Sequence, residues 1–376
     1  MVDQIYISAG EISGDLHGGG LAKELKKLNP DLHISGMGAH NMQESGVKLF
    51  RDCRDYSIMG FFGVFSNIFR FRKLLKDVAE HIKTNDIKTV VLIDYSGFNL
   101  RLAKAIKPSG VKILYFVSPQ VWAWRTGRVK AVEKYVKRMI TIFPFETSFY
   151  RDYGIDVDYV GHPMLDNIEP LSIDQRLEKS KKFKQRYNLN TASPVLALLP
   201  GSRRQEIERM LPTMLETAKL LKAKIADLNV VIASAPNAGF EKFKLMQLFQ
   251  SVNPLIVKND TSNVLYSADA VLTSSGTATI ETALHGTPQV VMYKTGYLTY
   301  RIAKSLVKVD YISMANLVAR EEAVPEFVQN DANPASLIKE LEPLLTCSDK
   351  WQSAHLKALK IREMLGEKGA YRKAAL

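Results

Sequence analysis

The chain contains 376 residues, of which 46% are apolar and 24% charged, proportions that are typical of soluble globular proteins and exclude a disordered or collagen-like chain. A chain of this length is expected to form two domains. The net charge is +12, with 18 lysines and arginines against 8 acidic residues between positions 51 and 150, so we expect an anionic partner such as nucleic acid, anionic lipid or a phosphorylated substrate.

The first half of the chain alternates short apolar runs with amphipathic segments. The apolar runs predict buried parallel strands at residues 4–8, 89–93, 111–117 and 139–143, and helical spacing predicts a helix over residues 17–28. Turn residues follow each predicted strand. This alternation is typical of βαβ units in an open parallel sheet.

The same pattern starts again after residues 161–171, where we place the switch between the two halves. Strands are predicted at residues 195–199, 230–233, 255–257, 270–273 and 290–293, a helix over 205–226, and a lysine-rich helical stretch over 349–376. The sequence therefore predicts two doubly wound α/β halves. Ligands of such sheets bind beyond the carboxyl ends of the strands, so functional residues are expected there.

A motif of small residues, Ser-Ser-Gly-Thr-Ala-Thr-Ile-Glu, follows the predicted strand 270–273. Small side chains let a phosphate approach the backbone N–H groups at the start of a helix. The candidate ligand residues are Ser275, Gly276, Thr277, Thr279 and Glu281. An ordinary helix cap explains the same residues, and the motif matches neither the P-loop nor the GxGxxG pattern.

A second motif, Leu-Pro-Gly-Ser-Arg-Arg-Gln-Glu-Ile, follows the predicted strand 195–199. It places Ser202 and Arg203 at a predicted helix start, where a positive charge is unfavourable for the helix dipole. This mismatch favours an anion bound between Arg203 and the helix. The alternative is a solvated surface arginine.

Two further motifs carry acids at predicted strand ends. Asp94 directly follows the buried strand 89–93, where it can act as a general base or cap the next turn. The segment Gly-Glu-Ile-Ser-Gly-Asp-Leu-His-Gly-Gly-Gly over residues 10–20 has glycines that permit close backbone approach to a ligand. Its candidate polar ligands are Glu11, Ser13, Asp15 and His17.

Two aromatic segments of the first half also contain arginines. In residues 118–125 Trp124 and Arg125 form either local packing or the wall of a phosphate-bearing acceptor site. Residues 56–76 contain four basic residues, no acid and five of the 16 phenylalanines at helical spacing. A basic fringe beside apolar bulk suits a helix lying in a membrane interface, although a buried core helix with solvated ends is the alternative. The membrane candidates are Phe61, Phe62, Phe65, Phe69 and Arg72.

These motifs occur in one order along nearly the whole chain, and together they resemble the lipid A disaccharide synthase family of Gram-negative envelope synthesis. The landmarks are GEISGD, SIMGFFGV, IDYSGFN, SPQVWAWR, FPFE, GHP, LPGSRRQEI, SSGTATIETAL, KVDYISMANL and VPEFVQ. The resemblance implies a GT-B glycosyltransferase fold with two facing Rossmann-like domains. Residues 1–165, joined by the helical residues 349–376, are then the acceptor and membrane domain, and residues 166–348 are the UDP-sugar domain.

The resemblance implies an inverting transfer from UDP-2,3-diacylglucosamine to 2,3-diacylglucosamine 1-phosphate (lipid X), which forms a β-1′,6 disaccharide and releases UDP. No metal and no cofactor besides the UDP-sugar substrate are expected. By motif match Asp94 is the base, with Glu11, Asp15 and His17 in reserve, and Arg203 with the backbone around residues 275–277 stabilises the leaving diphosphate. Glu281 is expected to bind the ribose and Arg125 the acceptor phosphate. Asn316, in the KVDYISMANL landmark, is a further substrate-binding candidate.

The family resemblance also implies a peripheral protein at the cytoplasmic face of the inner membrane, and a homodimer is a further expectation. Two distant cysteines that match no metal spacing, Cys53 and Cys347, indicate a reducing compartment as well. The chain departs from the family at Ser96 and Gly97, where many members have Pro-Asp. It also departs at Ala315, where proline is usual, and at 320–321, where a glycine is missing.

Other functions remain open on the sequence. Another UDP-sugar glycosyltransferase or an epimerase of the same fold would act on a water-soluble substrate. A nucleic-acid-binding protein would account for the positive charge, although no nucleic-acid-binding motif is present. A lipid-binding scaffold without catalytic activity is the third alternative, and the presence of Asp94 and Arg203 speaks against it.

Overall fold

A computed structural model describes the backbone of residues 4–57, 64–119, 121–124, 126–234, 239–296, 300–301 and 310–376. The chain divides into two compact units. The first consists of Met1–Asp166 with Gly366–Leu376, and the second of Asn167–Leu365.

Strands and helices alternate through both units. The strands are β1 (Gln4–Ala9), β2 (His33–Gly38), β3 (Lys48–Asp52), β4 (Thr89–Ile93), β5 (Lys112–Phe116), β6 (Arg138–Thr141), β7 (Val157–Tyr159), β8 (Val195–Leu199), β9 (Asn229–Ser234), β10 (Leu255–Lys258), β11 (Ala270–Ser274), β12 (Gln289–Tyr293) and β13 (Glu326–Val328). The helices are α1 (Ile12–Leu28), α2 (His40–Glu44), α3 (Arg54–Ser57), α4 (Val64–Thr84), α5 (Ser96–Ile106), α6 (Val121–Trp124), α7 (Val129–Tyr135), α8 (Pro144–Arg151), α9 (Ile173–Arg186), α10 (Arg204–Lys224), α11 (Glu241–Lys244), α12 (Gln247–Val252), α13 (Thr261–Ser267), α14 (Thr277–Leu284), α15 (Met314–Ala319), α16 (Pro334–Thr346), α17 (Ser348–Met364) and α18 (Ala370–Ala375).

Each unit is built on one parallel sheet. The strand order is β3-β2-β1-β4-β5-β6-β7 in the first unit and β10-β9-β8-β11-β12-β13 in the second. The order reverses between β1 and β4 in the first sheet and between β8 and β11 in the second. Ligands of doubly wound sheets bind at such switch points. The predicted doubly wound α/β architecture is therefore confirmed.

The continuous apolar runs form strands because both faces of each sheet are covered. In β8, Leu196 and Leu198 pack in one buried cluster, whereas Val195, Ala197 and Leu199 pack in another. Alternate residues of a strand point to opposite faces, so these two clusters lie on the two sides of the sheet. Every residue of β8 is buried, and a polar substitution in this strand would leave an unpaired group in the core.

Several elements differ from the sequence predictions. Helix α1 begins at Ile12 and so includes the glycines that suggested a loop up to residue 17. Strands β2, β3, β7 and β13 were not predicted, because they contain polar or glycine residues in place of apolar runs. Tertiary packing here outweighs local propensity.

The last 28 residues do not form one helical segment. Helix α17 ends near Gly366 and Gly369, whose φ angles of 84° and 90° lie in the left-handed region that favours glycine. Helix α17 groups with the second unit, and only Gly366–Leu376 groups with the first. The expected return of residues 349–376 to the first half is therefore limited to the part containing α18.

Candidate active site

The first unit brings Glu11 and Asp94 to one place on its sheet. Ala9 at the end of β1 pairs with Ile93 at the end of β4, so the residues that follow them, Gly10-Glu11 and Asp94, lie at the switch point. The charge of Glu11 acts on the carboxyl of Asp94. Two acids thus share the carboxyl edge where a ligand is expected.

The backbone around Asp94 adopts a sparsely populated conformation. The φ angles of Asp94, Tyr95 and Val117 are 42°, 44° and 60°, and for a β-branched valine this region is a genuine outlier. The N–H of Asp94 donates to the carbonyl of Val117 over 3.1 Å. Such strain persists only where the surroundings enforce it, and it is frequent at functional sites.

Asn99 helps to hold the backbone at Asp94 in this conformation. Its buried side-chain amide donates to the carbonyl oxygens of Ile93 and Asp94 over 3.0 and 2.9 Å, and its Oδ1 accepts from the hydroxyl of Ser8 over 2.7 Å. The residue therefore ties the ends of β1 and β4 together. The sequence does not predict this role for Asn99, since a buried amide has no signature in a single sequence.

The environment of Asp94 suits proton transfer near neutral pH. Burial, followed by the nearby charge of Glu11, raises the pKa of the Asp94 carboxyl to about 6. A base works best when its pKa lies close to the working pH. At pH 7 the carboxyl is mostly ionised and able to accept a proton, yet it is a stronger base than an ordinary aspartate.

Asp15 has a structural role, in contrast to its prediction as a ligand or reserve base. Its side chain is only 1% exposed, and its oxygens accept hydrogen bonds from the backbone N–H groups of Ala39, Asn41 and Met42 at 2.6–3.1 Å. The side-chain amide of Asn41 adds a fourth donor at 2.8 Å. Asp15 therefore fixes the start of α2. Glu11 and Ser13, at the start of α1, retain partial or full exposure.

His17, on α1 of the first unit, is a neutral and largely buried imidazole. Burial lowers its pKa to about 4, its Nδ1 lies 3.1 Å from the hydroxyl of Tyr371, and its ring meets Phe116 edge-on. His162, from the GHP landmark, is likewise buried, and burial together with His17 lowers its pKa to about 3. Neither imidazole carries charge at neutral pH.

Three glycines of residues 10–20 pack against other parts of the protein. The expectation that they let a ligand approach the backbone is therefore wrong for these three. A Cβ at Gly10 would lie 2.0 Å from the ring of Tyr95, and one at Gly20 would lie 2.5 Å from the ring of Tyr371. At Gly19 it would meet the backbone oxygen of Asn41 at 2.7 Å. These glycines therefore serve close packing.

Part of the predicted site lies outside the described residues. These are Arg125, Phe61 and Phe62, together with the side chains of Trp124 and Phe65. Two membrane candidates on α4 are described: Phe69 is 74% exposed and Arg72 is also exposed. Phe69 is thus no core residue in this unit. No helix in the described ranges has the length and apolarity needed to cross a bilayer.

In the second unit the small-residue motif forms the start of α14 at the switch point beside β8. Gly276 caps this helix with a φ of 128° and no side-chain cap, and a Cβ there would meet nothing within 4 Å. The N–H groups at the start of α14 carry the positive end of the helix dipole, and that of Thr279 donates to the carbonyl of Gly276 over 3.1 Å. Thr277 is exposed beside them, so this end can receive an anion.

The neighbouring loop is held against α14 by side chains from both sides. The hydroxyl of Ser275 donates to the carbonyl of Ile312 over 2.7 Å, and Thr279 Oγ1 accepts from the N–H of Ala315 over 3.3 Å. The carboxylate of Glu326 accepts from the N–H groups of Ile312 and Ser313 over 2.9 and 3.0 Å. Ser275, Thr279 and Glu326 therefore shape this edge, and sequence reasoning missed Glu326.

Asn316 is fully engaged inside this loop, so the expected substrate contact through its side chain is not what the structure shows. It is buried, its Nδ2 donates to Val324 O and Glu326 Oε2 over 2.9 and 3.0 Å, and its Oδ1 accepts from Val324 N over 2.9 Å. Both of its amide donors and its carbonyl oxygen therefore bind the protein.

Glu281 lies one turn into α14 and is partly buried. Burial raises its pKa, and among the described residues its carboxylate has no hydrogen-bond partner. A desolvated acceptor without a donor is poised for a ligand that carries hydroxyl groups.

Arg203 and Ser202 lie at the start of α10, beyond the end of β8. Arg203 is 75% exposed and its Nη1 is 3.6 Å from Glu206 Oε1. Glu206 Oε2 also accepts from the N–H groups of Ser202 and Arg203 over 3.3 Å. Glu206 therefore complements the helix end, and the dipole mismatch that suggested a bound anion is smaller than the sequence implied. The exposed guanidinium itself stays accessible to a ligand, since such surface pairs are weak.

Among the described residues, no group of three or more histidine, cysteine, aspartate or glutamate residues is arranged to hold a metal ion.

Comparison with known proteins gives the same assignment along the chain. The family model for lipid-A-disaccharide synthetase matches residues 5–376. A lipid-A-disaccharide synthase of Geobacter sulfurreducens is 35% identical over 99% of this chain and 95% of the relative. One from Coxiella burnetii is 37% identical over 93% and 90%, and one from Myxococcus xanthus is 37% identical over 99% and 96%.

Solved structures agree on the fold. The co-structure of S. aureus MnaA with UDP has a TM-score of 0.66 at 12% identity, covering 99% of this chain and 95% of that one. The UDP-GlcNAc 2-epimerase from Neisseria meningitidis bound to UDP-GlcNAc has a TM-score of 0.59 at 12% identity, covering 100% and 97%. These similarities show the GT-B fold alone. Because the family model and relatives above 30% identity span nearly the whole sequence, the chain belongs to the lipid-A-disaccharide synthetase family.

Proposed function

We propose that the protein is an inverting glycosyltransferase that transfers 2,3-diacylglucosamine from UDP to the 6-hydroxyl of 2,3-diacylglucosamine 1-phosphate (lipid X). The products are the β-1′,6-linked disaccharide 1-phosphate and UDP. The observation that carries the proposal is the family match over residues 5–376. The two switch points, one with a poised acid and one with an open helix start, supply the chemistry that the reaction needs.

The acceptor side of the reaction is proposed to use Asp94. The oxygen of the acceptor 6-hydroxyl attacks the anomeric carbon from the face opposite UDP, its proton passes to the Asp94 carboxylate, and the bond from the anomeric carbon to the phosphate oxygen breaks. UDP leaves with the electron pair. The raised pKa of Asp94, about 6, makes it a stronger acceptor of that proton than an ordinary aspartate.

The donor side is proposed to use the start of α14 and the exposed Arg203. Negative charge grows on the diphosphate as it leaves, and backbone N–H groups near residues 275–277 with a guanidinium stabilise that charge. Glu281, a carboxylate without a protein partner in the described ranges, is proposed to accept from the ribose hydroxyls. Ser202 is proposed to contact the same nucleotide. No metal or cofactor is needed in this scheme.

We also propose that the protein works at the cytoplasmic face of the inner membrane without crossing it. Both proposed substrates carry acyl chains, and exposed Phe69 with Arg72 on α4 offers an apolar side chain beside a positive charge. Arg125 and Trp124 are proposed to contact the acceptor. A homodimer is a further proposal, and light scattering that shows only monomer would remove it.

The test of the reaction is UDP release in mild detergent with both acylated substrates. The proposal expects release only when both are present. Turnover of UDP-N-acetylglucosamine without lipid would favour the alternative, another UDP-sugar transferase or an epimerase. The UDP-GlcNAc 2-epimerase neighbour, at 12% identity, shares the fold and gives that alternative no further support.

A further inference from the structure

Glu146 is a buried acid at the end of β6 that the proposed reaction does not use. It lies in the first turn of α8 and is 2% exposed. Its Oε1 accepts a hydrogen bond from Trp122 Nε1 over 3.2 Å, and its Oε2 accepts from the N–H of Phe143 over 3.3 Å.

All of these partners are neutral. In the part of the chain that the structure describes, no lysine, arginine or histidine forms an ion pair with Glu146. A buried carboxyl without a cation favours its uncharged form. Burial accordingly raises the pKa of Glu146 to about 8, so the side chain is a protonated acid at neutral pH.

The other titratable groups around Glu146 do not ionise in the same pH range. Tyr150 on α8 and Tyr159 on β7 feel its charge, and burial raises the pKa of both phenols far above 10. His162, whose ring lies 4.9 Å from that of Phe143, has a pKa lowered to about 3. Asp94, which acts on Tyr150 from the other side, has a pKa of about 6. Glu146 is the group that changes charge near pH 8.

Residues that follow β5 link the surroundings of Asp94 to those of Glu146. The Val117 carbonyl accepts from the N–H of Asp94 over 3.1 Å, and the Ser118 hydroxyl lies 2.9 Å from that of Tyr150. Trp122, in α6, donates to Glu146 and packs edge-on against Phe145 with ring centroids 4.8 Å apart. Val117 therefore contacts the proposed base, and Trp122 contacts the buried acid.

We propose that uncharged Glu146 is a positioning residue, which holds Trp122 of α6 against α8 and so keeps Val117 and Asp94 in place. The inference rests on the function proposed above for Asp94. Ionisation of Glu146 places an unpaired charge in the core, and Trp122 must shift to admit water to it. Transfer activity then falls as Glu146 ionises.

The pH profile of kcat/KM tests this role. The wild type is expected to lose activity below about pH 6, where Asp94 is protonated, and above about pH 8, where Glu146 is ionised. Glu146→Gln keeps the acceptor for Trp122 and cannot ionise. We expect it to stay within about threefold of wild type at pH 7 and to lack the alkaline fall. Glu146→Ala is expected to lose at least about tenfold at pH 7.

Trp122→Phe is the matched second variant. The indole N–H stabilises the ionised carboxylate, so its removal is expected to move the alkaline fall to higher pH. Two results would overturn the inference. In the first, Glu146→Gln is as inactive as Glu146→Ala, which would require an ionised Glu146. In the second, neither Glu146→Gln nor Trp122→Phe changes the fall of activity at alkaline pH.

A titration without substrate separates this inference from the proposed reaction. The chain has three tryptophans, and a carboxyl bonded to the Trp122 indole changes its fluorescence on ionising. We expect a fluorescence transition near pH 8 in the wild type that Glu146→Gln and Trp122→Phe both lack. A folded wild type without that transition would refute the buried, titrating acid even if UDP release occurs. A transition without UDP release would leave the acid in place and count against the reaction.

Discussion

The carboxyl of Asp94 is placed by its neighbours more than by its own chemistry. The amide of Asn99 and the carbonyl of Val117 hold a left-handed backbone at the end of β4, and burial with the charge of Glu11 sets its pKa. The sequence predicts the residue because an acid after a buried strand lies at the ligand edge. It does not predict the pKa, which depends on contacts between residues far apart in the chain.

Asp94→Asn should abolish most of the activity. The amide keeps the shape and tolerates the left-handed backbone but cannot take the acceptor proton, so we expect kcat to fall by roughly 10²–10⁴-fold. UDP release with both lipids measures the loss, and circular dichroism checks the fold. Asp86→Asn is the control, since Asp86 is also left-handed but exposed. An Asp94 variant with a near-normal rate would exclude it as the base.

Two adjacent arginines at the start of α10 allow a proposed ligand contact to be compared with an ordinary surface charge. Arg203 is 75% exposed and weakly paired, whereas Arg204 bonds Glu208 at 2.9 Å. We expect Arg203→Ala to lower kcat/KM for the UDP-sugar by about 10–100-fold, as for a lost charge-assisted hydrogen bond. Arg204→Ala should stay within about threefold of wild type. Equal effects of the two variants would place Arg203 in solvent.

At the scale of elements, helix α1 shows why a single sequence underestimates a helix. Gly14, Gly18, Gly19 and Gly20 lower its local propensity, so the prediction began only at residue 17. Packing decides otherwise, because these positions let α1 approach neighbouring segments, and the partners are remote in the sequence. Asn316 and Asp15 bond the protein backbone, which the sequence does not reveal for a related reason: a polar residue in a motif looks the same whether it binds a substrate or the backbone.

Substitution by alanine is expected to change the stability of the fold in opposite directions at two helical glycines. One of them, Gly20, lies at the contact between α1 and α18. Gly20→Ala places a Cβ 2.5 Å from the Tyr371 ring, whereas Gly97→Ala, in α5, meets nothing within 4 Å. We expect Gly20→Ala to destabilise the fold by about 1–3 kcal/mol through overpacking. Gly97→Ala should be neutral or stabilising by up to about 1 kcal/mol.

Thermal unfolding of the two variants beside wild type measures these changes. If Gly20→Ala melts at the wild-type temperature, α18 does not pack on α1 in solution. A double variant with Tyr371→Ala is informative as well, because removal of the ring should cancel most of the penalty of Gly20→Ala.

On the scale of the whole molecule, the excess of positive charge is concentrated in the first half of the sequence. Residues 51–150 carry 18 basic and 8 acidic residues, and α4 exposes Phe69. Nucleic acid and anionic lipid would both be attracted by such charge, and a bilayer also takes up an exposed phenylalanine ring beside basic residues. Nucleic acid would be supported as the partner if the protein binds a DNA duplex with an affinity that falls steeply with salt and does not bind vesicles.

Phe69→Ser therefore tests the membrane proposal with little risk to the fold, because the side chain is 74% exposed. Burying a phenylalanine contributes about 1.5–3 kcal/mol, so we expect the variant to bind anionic phospholipid vesicles roughly 10–100-fold more weakly in cosedimentation. Leu245→Ser is the control, since Leu245 is 81% exposed in the second unit. If both variants bind like wild type, α4 does not enter the bilayer. If Phe69→Ser alone weakens binding and UDP release falls only with vesicle-borne substrates, the segment delivers lipid to the site.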